Sequence, residues 1–139
     1  MVAMVRRTAG RSRLVVVLLA LAALCLALAA CGGSGSGGGG AANEVDMGVA
    51  EFQQSSITIH AGQTVHFVDP ANGGGVHIIC IGKNEQCAPE TGAPAKLNVT
   101  TGIQVSPGDP PIDVTFANAG TYTVVCTIHP GMEVTINVQ

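Results

Sequence analysis

Residues 56–68 read SITIHAGQTVHFV, and apolar residues alternate with polar ones on both sides of Ala61-Gly62. This alternation is typical of a half-buried strand, a turn and a second half-buried strand. Because His60 and His66 fall out of phase with the apolar positions, we expect both imidazoles to face solvent. The pattern favours a fold in which β-sheets bury the core.

Similar stretches rich in β-branched residues recur after residue 45, separated by turns that contain Gly, Pro, Asn and Asp. They cover residues 45–52, 76–81, 96–100, 112–116, 121–126 and 133–138. Residues 82–95 and 101–111 are predicted to be loops because they are rich in Gly and Pro. About eight short strands of this kind predict an all-β domain, built as a two-sheet sandwich or a barrel.

Charge divides the chain unevenly. All the basic residues except Lys83 and Lys96 precede residue 14, and all nine acidic residues follow residue 43. Residues 43–139 therefore hold two lysines against nine carboxylates, a formal charge of −7. This charge disfavours nucleic-acid binding, which needs clustered Lys and Arg. The same segment suffices for one small domain and excludes a large two-domain enzyme.

Residues 1–30 are predicted to be a signal peptide. Four arginines precede an apolar run at residues 14–28, which has the length of a signal-peptide core and is short for a membrane span. The run ends in LALAAC, which resembles the bacterial lipobox, and the resemblance implies cleavage after Ala30 and lipidation of Cys31. An uncleaved anchor helix and an ordinary secretory signal are the alternatives. We expect a lipid-anchored protein on the extracytoplasmic face of the cell membrane.

Residues 31–42 begin with Cys31 and continue as GGSGSGGGGAA, which has almost no side chains to bury. Such a composition is typical of a flexible linker. We therefore expect a Gly/Ser-rich tether between the lipidated cysteine and a globular domain at residues 43–139.

The segment CTIHPGM places Cys126, His129 and Met132 at intervals of three residues, between two predicted strands. A loop held between two strands can turn its thiolate, imidazole and thioether toward one point. Two imidazoles, one thiolate and a weak thioether are ligands that suit copper as it changes between Cu(II) and Cu(I). The loop supplies three of these four groups, so one further imidazole from elsewhere in the chain is needed.

GTYTVVCTIHPGM, with Phe116 upstream in FANAGTY, resembles the C-terminal signature of the cupredoxins, and the short ligand loop looks most like that of amicyanin and related plastocyanin-like proteins. SITIHAGQTVHFV is similar to the paired early strands of that family. The resemblance covers nearly all of residues 45–139 and implies a Greek-key β-sandwich of about eight strands. GGGVHII matches the position of the family's upstream histidine. The resemblance therefore implies one type 1 copper, bound by His77, Cys126 and His129, with Met132 as the axial ligand.

Two features near His77 depart from the family pattern. The residue after the upstream histidine is usually Asn, Ser or Thr, able to hydrogen-bond across to the loop after the cysteine, and here it is Ile78; Thr127 keeps the other side of that bridge. The glycines at 73–75 stand where the family often has a proline. Because outer groups orient the ligands and tune the metal, both changes bear on the reduction potential and rigidity of the site. Tyr122 is expected to be a packed or corner-type tyrosine.

Cys80 and Cys87 are the thiols that remain once the leader is removed, Cys31 is lipidated and Cys126 binds the metal. In a compartment that permits disulfides, we expect these two to be bonded to each other. The alternative is that Cys80, three residues from the upstream histidine, is itself a metal ligand, in a site for copper trafficking.

These features predict a membrane-tethered protein that carries single electrons between extracytoplasmic redox partners, such as a cytochrome or an oxidase. This role needs no protein nucleophile, acid or base, so we do not expect an enzyme. The acidic charge favours partners with basic faces; no nucleic acid is expected, and the protein is expected to be a monomer. The alternative is a copper-binding lipoprotein for copper storage or delivery. A third reading is a cupredoxin-like interaction domain whose site is empty or holds zinc.

Overall fold

The structure is a computed structural model that describes residues 42–139, and these residues form two β-sheets. The strands are β1 (Glu44–Asp46), β2 (Ser56–Ile59), β3 (Thr64–Val68), β4 (His77–Lys83), β5 (Gln86–Cys87), β6 (Ile103–Val105), β7 (Ile112–Thr115), β8 (Gly120–Cys126) and β9 (Glu133–Val138). Within residues 42–139, no helix has the length and apolar character needed to span a membrane. The predicted signal peptide and Cys31 lie outside the described residues.

The smaller sheet has the strand order β1-β3-β7, and the larger sheet has the order β2-β9-β8-β4-β5, with β6 paired to β4. β1 pairs with β3 and β2 pairs with β9 in parallel, whereas β8 lies antiparallel to both β4 and β9. Consecutive strands such as β2 and β3 lie in different sheets, so the chain passes repeatedly between two layers. The predicted all-β sandwich is confirmed.

The core lies between the sheets, where strands with alternating sequence turn their apolar residues inward. β3 buries Val65 and Phe67, and its antiparallel pairing with β7 places them opposite Val114 and Ile112. The ring of Phe67 also meets that of Phe52 edge-on, with 6.3 Å between the ring centroids. Because a slip of one residue would turn every one of these side chains toward solvent, the burial of this face specifies the strand register.

The central strands of the larger sheet, β4 and β8, are aligned so that Ile79 pairs with Cys126 and Cys80 pairs with Val125. All four side chains are buried. Neighbouring residues of a strand point to opposite faces, so Ile79 and Cys126 share one face of the sheet while Cys80 and Val125 share the other. The ends of both strands that carry the predicted ligands are therefore built into a buried part of the fold.

The strand predicted at residues 96–100 is wrong, because this segment forms a turn. The N–H groups of Leu97 and Asn98 both donate to the carbonyl of Pro94, at 3.1 and 3.0 Å. The side-chain amide of Asn98 bonds to the backbone N–H and carbonyl of Glu90, at 2.8 and 2.9 Å. Leu97 is buried and anchors this turn in the core. The apolar residue in this segment therefore reflects one buried side chain and not the alternation of a strand.

The strand predicted at residues 45–52 is also interrupted. β1 ends at Asp46, and Met47 pairs with Phe52 across a turn in which the N–H of Gly48 donates to the carbonyl of Glu51, at 2.8 Å. The predicted loops at 82–95 and 101–111 contain β5 and β6, both of which pair with β4. Strands of two and three residues are too short for alternation to reveal them.

Tyr122 is a corner tyrosine, as expected. Its ring is buried, with its centroid 5.5 Å from that of Phe116. Its hydroxyl lies within hydrogen-bond distance of two carbonyls, at 3.1 Å from that of Asn118, four residues upstream, and at 3.2 Å from that of Gly92. These bonds tie the start of β8 to the loop that precedes it and to the loop around Gly92.

Candidate metal centre

The four predicted ligands come from two places in the fold. His77 is the first residue of β4, Cys126 is the last residue of β8, and His129 and Met132 lie in the loop that joins β8 to β9. The register of β4 and β8 brings the two ligand-bearing strand ends together, although His77 and Cys126 are 49 residues apart in sequence.

Three ligand atoms converge in one cluster formed by His77, Cys126 and His129. The Cys126 Sγ lies 4.0 Å from the His77 Nδ1 and 3.5 Å from the His129 Nδ1, and the two Nδ1 atoms are 3.2 Å apart. A triangle with these sides has a centre about 2.1 Å from each corner, and metal–nitrogen and metal–thiolate bonds in proteins are about 2.0–2.3 Å long. The three atoms are therefore spaced so that they could bind one metal ion between them.

Burial differs between the ligand residues. His77 and Cys126 are fully buried and Met132 is 2% exposed, whereas His129 is partly exposed. The two imidazole rings meet edge-on, with 4.9 Å between the ring centroids and 62° between the ring planes. His129 is thus the member of the set that reaches toward the surface.

The ligand loop is held by its own backbone. The N–H of Cys126 donates to the carbonyl of Met132 at 3.0 Å, and the N–H of Met132 donates to the carbonyl of His129 at 3.2 Å. Gly131 completes this tight turn with a φ of 73°, in the left-handed region that favours glycine. Its N–H donates to the Glu85 Oε1 at 2.9 Å, so the turn between β4 and β5 also fixes the loop.

Ile78 does not break the bridge between β4 and the ligand loop. The N–H of Thr127 donates to the backbone carbonyl of Ile78 at 2.9 Å. The cross-connection is therefore made by the main chain at these two positions, and it does not require a polar side chain at residue 78.

The glycine run before His77 is constrained at two positions. A Cβ atom at Gly73 would overlap the Asp69 Oδ1 and lie 2.9 Å from the carbonyl oxygen of Pro70, so only glycine fits without a shift. Gly74 has a φ of 109°. At Gly75, by contrast, a Cβ atom would meet nothing within 4 Å. Of the three glycines, Gly73 is therefore required by close contacts and Gly74 by its backbone conformation, whereas Gly75 is required by neither.

Asp69 was not singled out by the sequence, yet it lies against the site. Its side chain is fully buried, and its Oδ2 is 3.9 Å from the His77 Nε2. Burial raises the pKa of Asp69, while His77 acts to lower it. Burial lowers the pKa of His77, and a smaller opposing effect comes first from Asp69 and then from the carbonyl of Gly48. An aspartate before proline in a Gly-rich segment is typical of a turn, so no sequence signal marked it.

The two other histidines lie outside the cluster, as expected. His60 is exposed, and the His66 side chain is 41% exposed, with its Nδ1 2.7 Å from the Asp113 Oδ1. Cys80 is joined to Cys87 by the predicted disulfide, with an S–S distance of 2.06 Å. The alternative in which Cys80 binds the metal is therefore wrong. Among the described residues, Cys126 is the cysteine with a free thiol.

The donor set fits copper in its chemistry as well as in its spacing. Two imidazole nitrogens and one thiolate, with a methionine close in sequence, match the His₂Cys ligand set of blue-copper sites, in which a thioether is the weak axial ligand. A structural zinc site would instead need four closed tetrahedral ligands.

The chain is similar to known proteins in sequence profile and in fold. Residues 40–139 match the profile of the family described as copper binding proteins, plastocyanin/azurin family. A variant of amicyanin in its reduced Cu(I) form at pH 4 is similar in structure, with a TM-score of 0.52 and 22% identity over 75% of this chain and 87% of that chain. An oxidised amicyanin variant gives a TM-score of 0.51 and 18% identity over 73% and 86% of the two chains. Amicyanin from Paracoccus versutus gives a TM-score of 0.49 and 22% identity over 69% of this chain and 79% of that chain.

No protein of curated function matches the chain in sequence. The structural similarities, at these identities, support the fold, and the family match covers the whole described part of the chain. The chain therefore belongs to the plastocyanin/azurin family of copper-binding proteins, with a site compatible with one type 1 copper.

Proposed function

We propose that the protein is a type 1 copper electron carrier, and that it is not an enzyme. The observation that carries this proposal is the triangle of two Nδ1 atoms and one Sγ atom, with sides of 3.2, 3.5 and 4.0 Å. His77, Cys126 and His129 would hold the metal, and Met132 would be the axial ligand. When bound, copper supplies a one-electron couple between Cu(II) and Cu(I).

The surrounding chain keeps these side chains in position and excludes water. The Cys126 N–H and the Thr127 N–H are both bonded to backbone carbonyls on either side of the site. His77 and Cys126 are sealed in the core, where neighbouring side chains leave them no contact with solvent. A ligand set fixed in this way has little freedom to rearrange when the charge at its centre changes by one.

Electrons would enter and leave through the partly exposed His129. Ile128, directly before it, is 47% exposed, and Val76, directly before His77, is 41% exposed. These two apolar side chains precede the two imidazole ligands. They offer an apolar surface that a redox partner can contact directly, with water excluded from the contact. The formal charge of −7 on residues 43–139 favours a basic partner such as a cytochrome or an oxidase subunit, with association that weakens as salt rises.

The protein would work at the extracytoplasmic face of the membrane, anchored by a lipid on Cys31. A coil of about twelve Gly-rich residues has a root-mean-square reach of roughly 17–20 Å, which lets the domain turn toward partners in the same membrane. Cys31→Ser should move the full-length protein from the membrane to the soluble fraction on cell fractionation, and an unchanged distribution would contradict the lipid anchor.

Spectroscopy of the full-length protein loaded with Cu(II) tests the redox role. We expect an intense visible absorption band and narrow copper hyperfine splitting in electron paramagnetic resonance. The band should bleach with ascorbate and return with ferricyanide, without metal loss. Copper that leaves on reduction would instead indicate storage or delivery.

Two variants separate the ligand roles in the same experiment. Cys126→Ser should abolish the intense band, because its source is the thiolate, and an unchanged spectrum would refute the assignment. Met132→Gln should keep copper and shift its reduction potential, as expected for a weak axial ligand. Loss of all copper binding in Met132→Gln would mean that Met132 is a principal ligand.

A further inference from the structure

The buried histidine of the site needs a partner for its second ring nitrogen. The His77 Nδ1 faces the other two ligand atoms, so a neutral His77 that binds a metal through Nδ1 carries its proton on Nε2. Nε2 is buried and has no hydrogen-bond partner of normal geometry in the described part of the chain, although the carbonyl of Gly48 lies close enough to raise the pKa of His77. A buried donor left without an acceptor costs about 1–3 kcal/mol.

Asp69 is placed to be that acceptor. Its Oδ2 is 3.9 Å from the His77 Nε2, and both side chains are fully buried. Neither carboxylate oxygen of Asp69 has a hydrogen-bond partner among the residues that the structure describes. A donor and an acceptor, both buried and both unpaired, thus lie about 1 Å beyond the distance of a charge-assisted hydrogen bond, about 2.7–2.9 Å.

The backbone around Asp69 holds it in this position. The carbonyl of Asp69 accepts the N–H of Gly108 at 2.8 Å, and the N–H of Gly73 donates to the carbonyl of Pro70 at 2.6 Å. The carboxylate occupies the space that a side chain at residue 73 would fill. The 69–73 turn therefore presents one carboxylate to the rear of the His77 ring, on the side away from the other ligands.

We infer that Asp69 is a positioning residue of the metal centre, which accepts the Nε2–H of His77 and places a negative charge behind that ligand. Through this bond, Asp69 selects the tautomer that presents Nδ1 and stabilises Cu(II) over Cu(I). The role in tuning copper rests on the proposed function; the tautomer selection does not.

Nitrogen-15 NMR of the copper-free, full-length protein tests the tautomer selection. In the wild type we expect His77 to be the Nε2–H tautomer. Asp69→Asn should keep this tautomer, because the amide oxygen still accepts a hydrogen bond, whereas Asp69→Ala should give a mixture of tautomers. The same tautomer in all three proteins would overturn the inference, whatever the metal does.

The copper-loaded proteins test the tuning. Loss of an outer partner of a metal-binding histidine typically costs about 10–100-fold in metal affinity, and we expect a loss in this range for Asp69→Ala. Asp69→Asn should retain copper and have a higher reduction potential; a tenfold loss of Cu(II) affinity relative to Cu(I) corresponds to about 59 mV for one electron. An unchanged potential in Asp69→Asn would overturn the inference, because a merely structural role lowers stability and leaves the potential alone.

Asp109→Asn is the matched control. Asp109 is an exposed carboxylate whose charge raises the pKa of Asp69, and its side chain bonds to the backbone of Ser106 and not to the ligands. Asp109→Asn removes a nearby negative charge and leaves the surroundings of His77 unchanged. Its effect on the reduction potential of copper should therefore be clearly smaller than that of Asp69→Asn. Equal shifts in the two variants would mean that only general charge matters, and would overturn a specific role. If the bound copper cannot be reduced and reoxidised, the proposed function fails. The NMR comparison of the copper-free proteins still tests whether Asp69 selects the tautomer of His77.

Discussion

Gly73→Ala should destabilise the protein through one added methyl group. The new Cβ would overlap the Asp69 Oδ1 and would lie 2.9 Å from the carbonyl oxygen of Pro70 and 3.1 Å from that of Met47. Gly73 does not have a φ in the left-handed region, so the backbone conformation itself accepts alanine. The expected loss of stability therefore comes from the close contacts of the new Cβ alone.

Two of these three neighbours are backbone atoms, so they move only if the main chain moves. Overpacking of this kind costs about 1–3 kcal/mol. For a domain of this size, each kcal/mol lowers the melting temperature by about 4–8 °C, so a loss of about 2 kcal/mol lowers it by about 8–16 °C. The displaced carboxylate would also leave the rear of His77, and copper affinity should fall together with stability.

Thermal unfolding of the copper-free, full-length protein, followed by circular dichroism, measures the effect. Gly75→Ala is the control, because a Cβ there meets nothing within 4 Å and its φ is also outside the left-handed region. It should leave the melting temperature unchanged or raise it, since alanine restricts the unfolded chain by about 0.4–1 kcal/mol. Equal melting temperatures for the two variants would refute the reasoning from close contacts.

Three further changes test the scaffold around the site. Tyr122→Phe removes a hydroxyl whose one proton is shared between two carbonyls, and the free energy of unfolding in urea should fall by about 1 kcal/mol while the copper spectrum is unchanged. No loss of stability would show that the corner is dispensable. Replacing both Cys80 and Cys87 by serine should lower the free energy of unfolding by about 2.5 kcal/mol, because the unfolded chain is no longer restricted by the cross-link. The visible copper band should remain, and its loss would contradict our exclusion of Cys80 as a ligand. Glu85→Ala should speed the loss of copper to a chelator, because Gly131 loses its acceptor, while Glu85→Gln should not; identical rates would place Glu85 outside the site.

Periodicity predicted the strands that bury one face. β3 and β7 alternate strictly between buried and more exposed residues, so their sequences carry a period of two. β5 and β6 were missed because they are two and three residues long and exist through their pairing with β4. The turn at residues 96–100 was misread because a single buried leucine, Leu97, resembles the start of an alternation.

The candidate site was predictable to different degrees at different residues. Cys126 and His129 are three residues apart in one short loop, so their spacing alone indicates a shared site. His77 is 49 residues from Cys126, and only the resemblance to a family placed it there, since the register that unites them is a property of the folded sheet. Asp69 was not predictable, because its burial depends on how the turn that follows β3 packs, and nothing local in the sequence records that packing.

The replacement of a polar residue by Ile78 has a structural explanation. The link between β4 and the ligand loop is made by the Thr127 N–H and the carbonyl of Ile78, so any side chain at residue 78 preserves it. The Ile78 side chain instead packs toward Gly102, where a Cβ atom would lie 2.6 Å from its Cγ2. With no polar side chain to bond across at this position, the carboxylate behind His77 becomes the group best placed to tune the metal. The side chain at residue 78 therefore serves packing, while Asp69 sets the electrostatics of the histidine ligand.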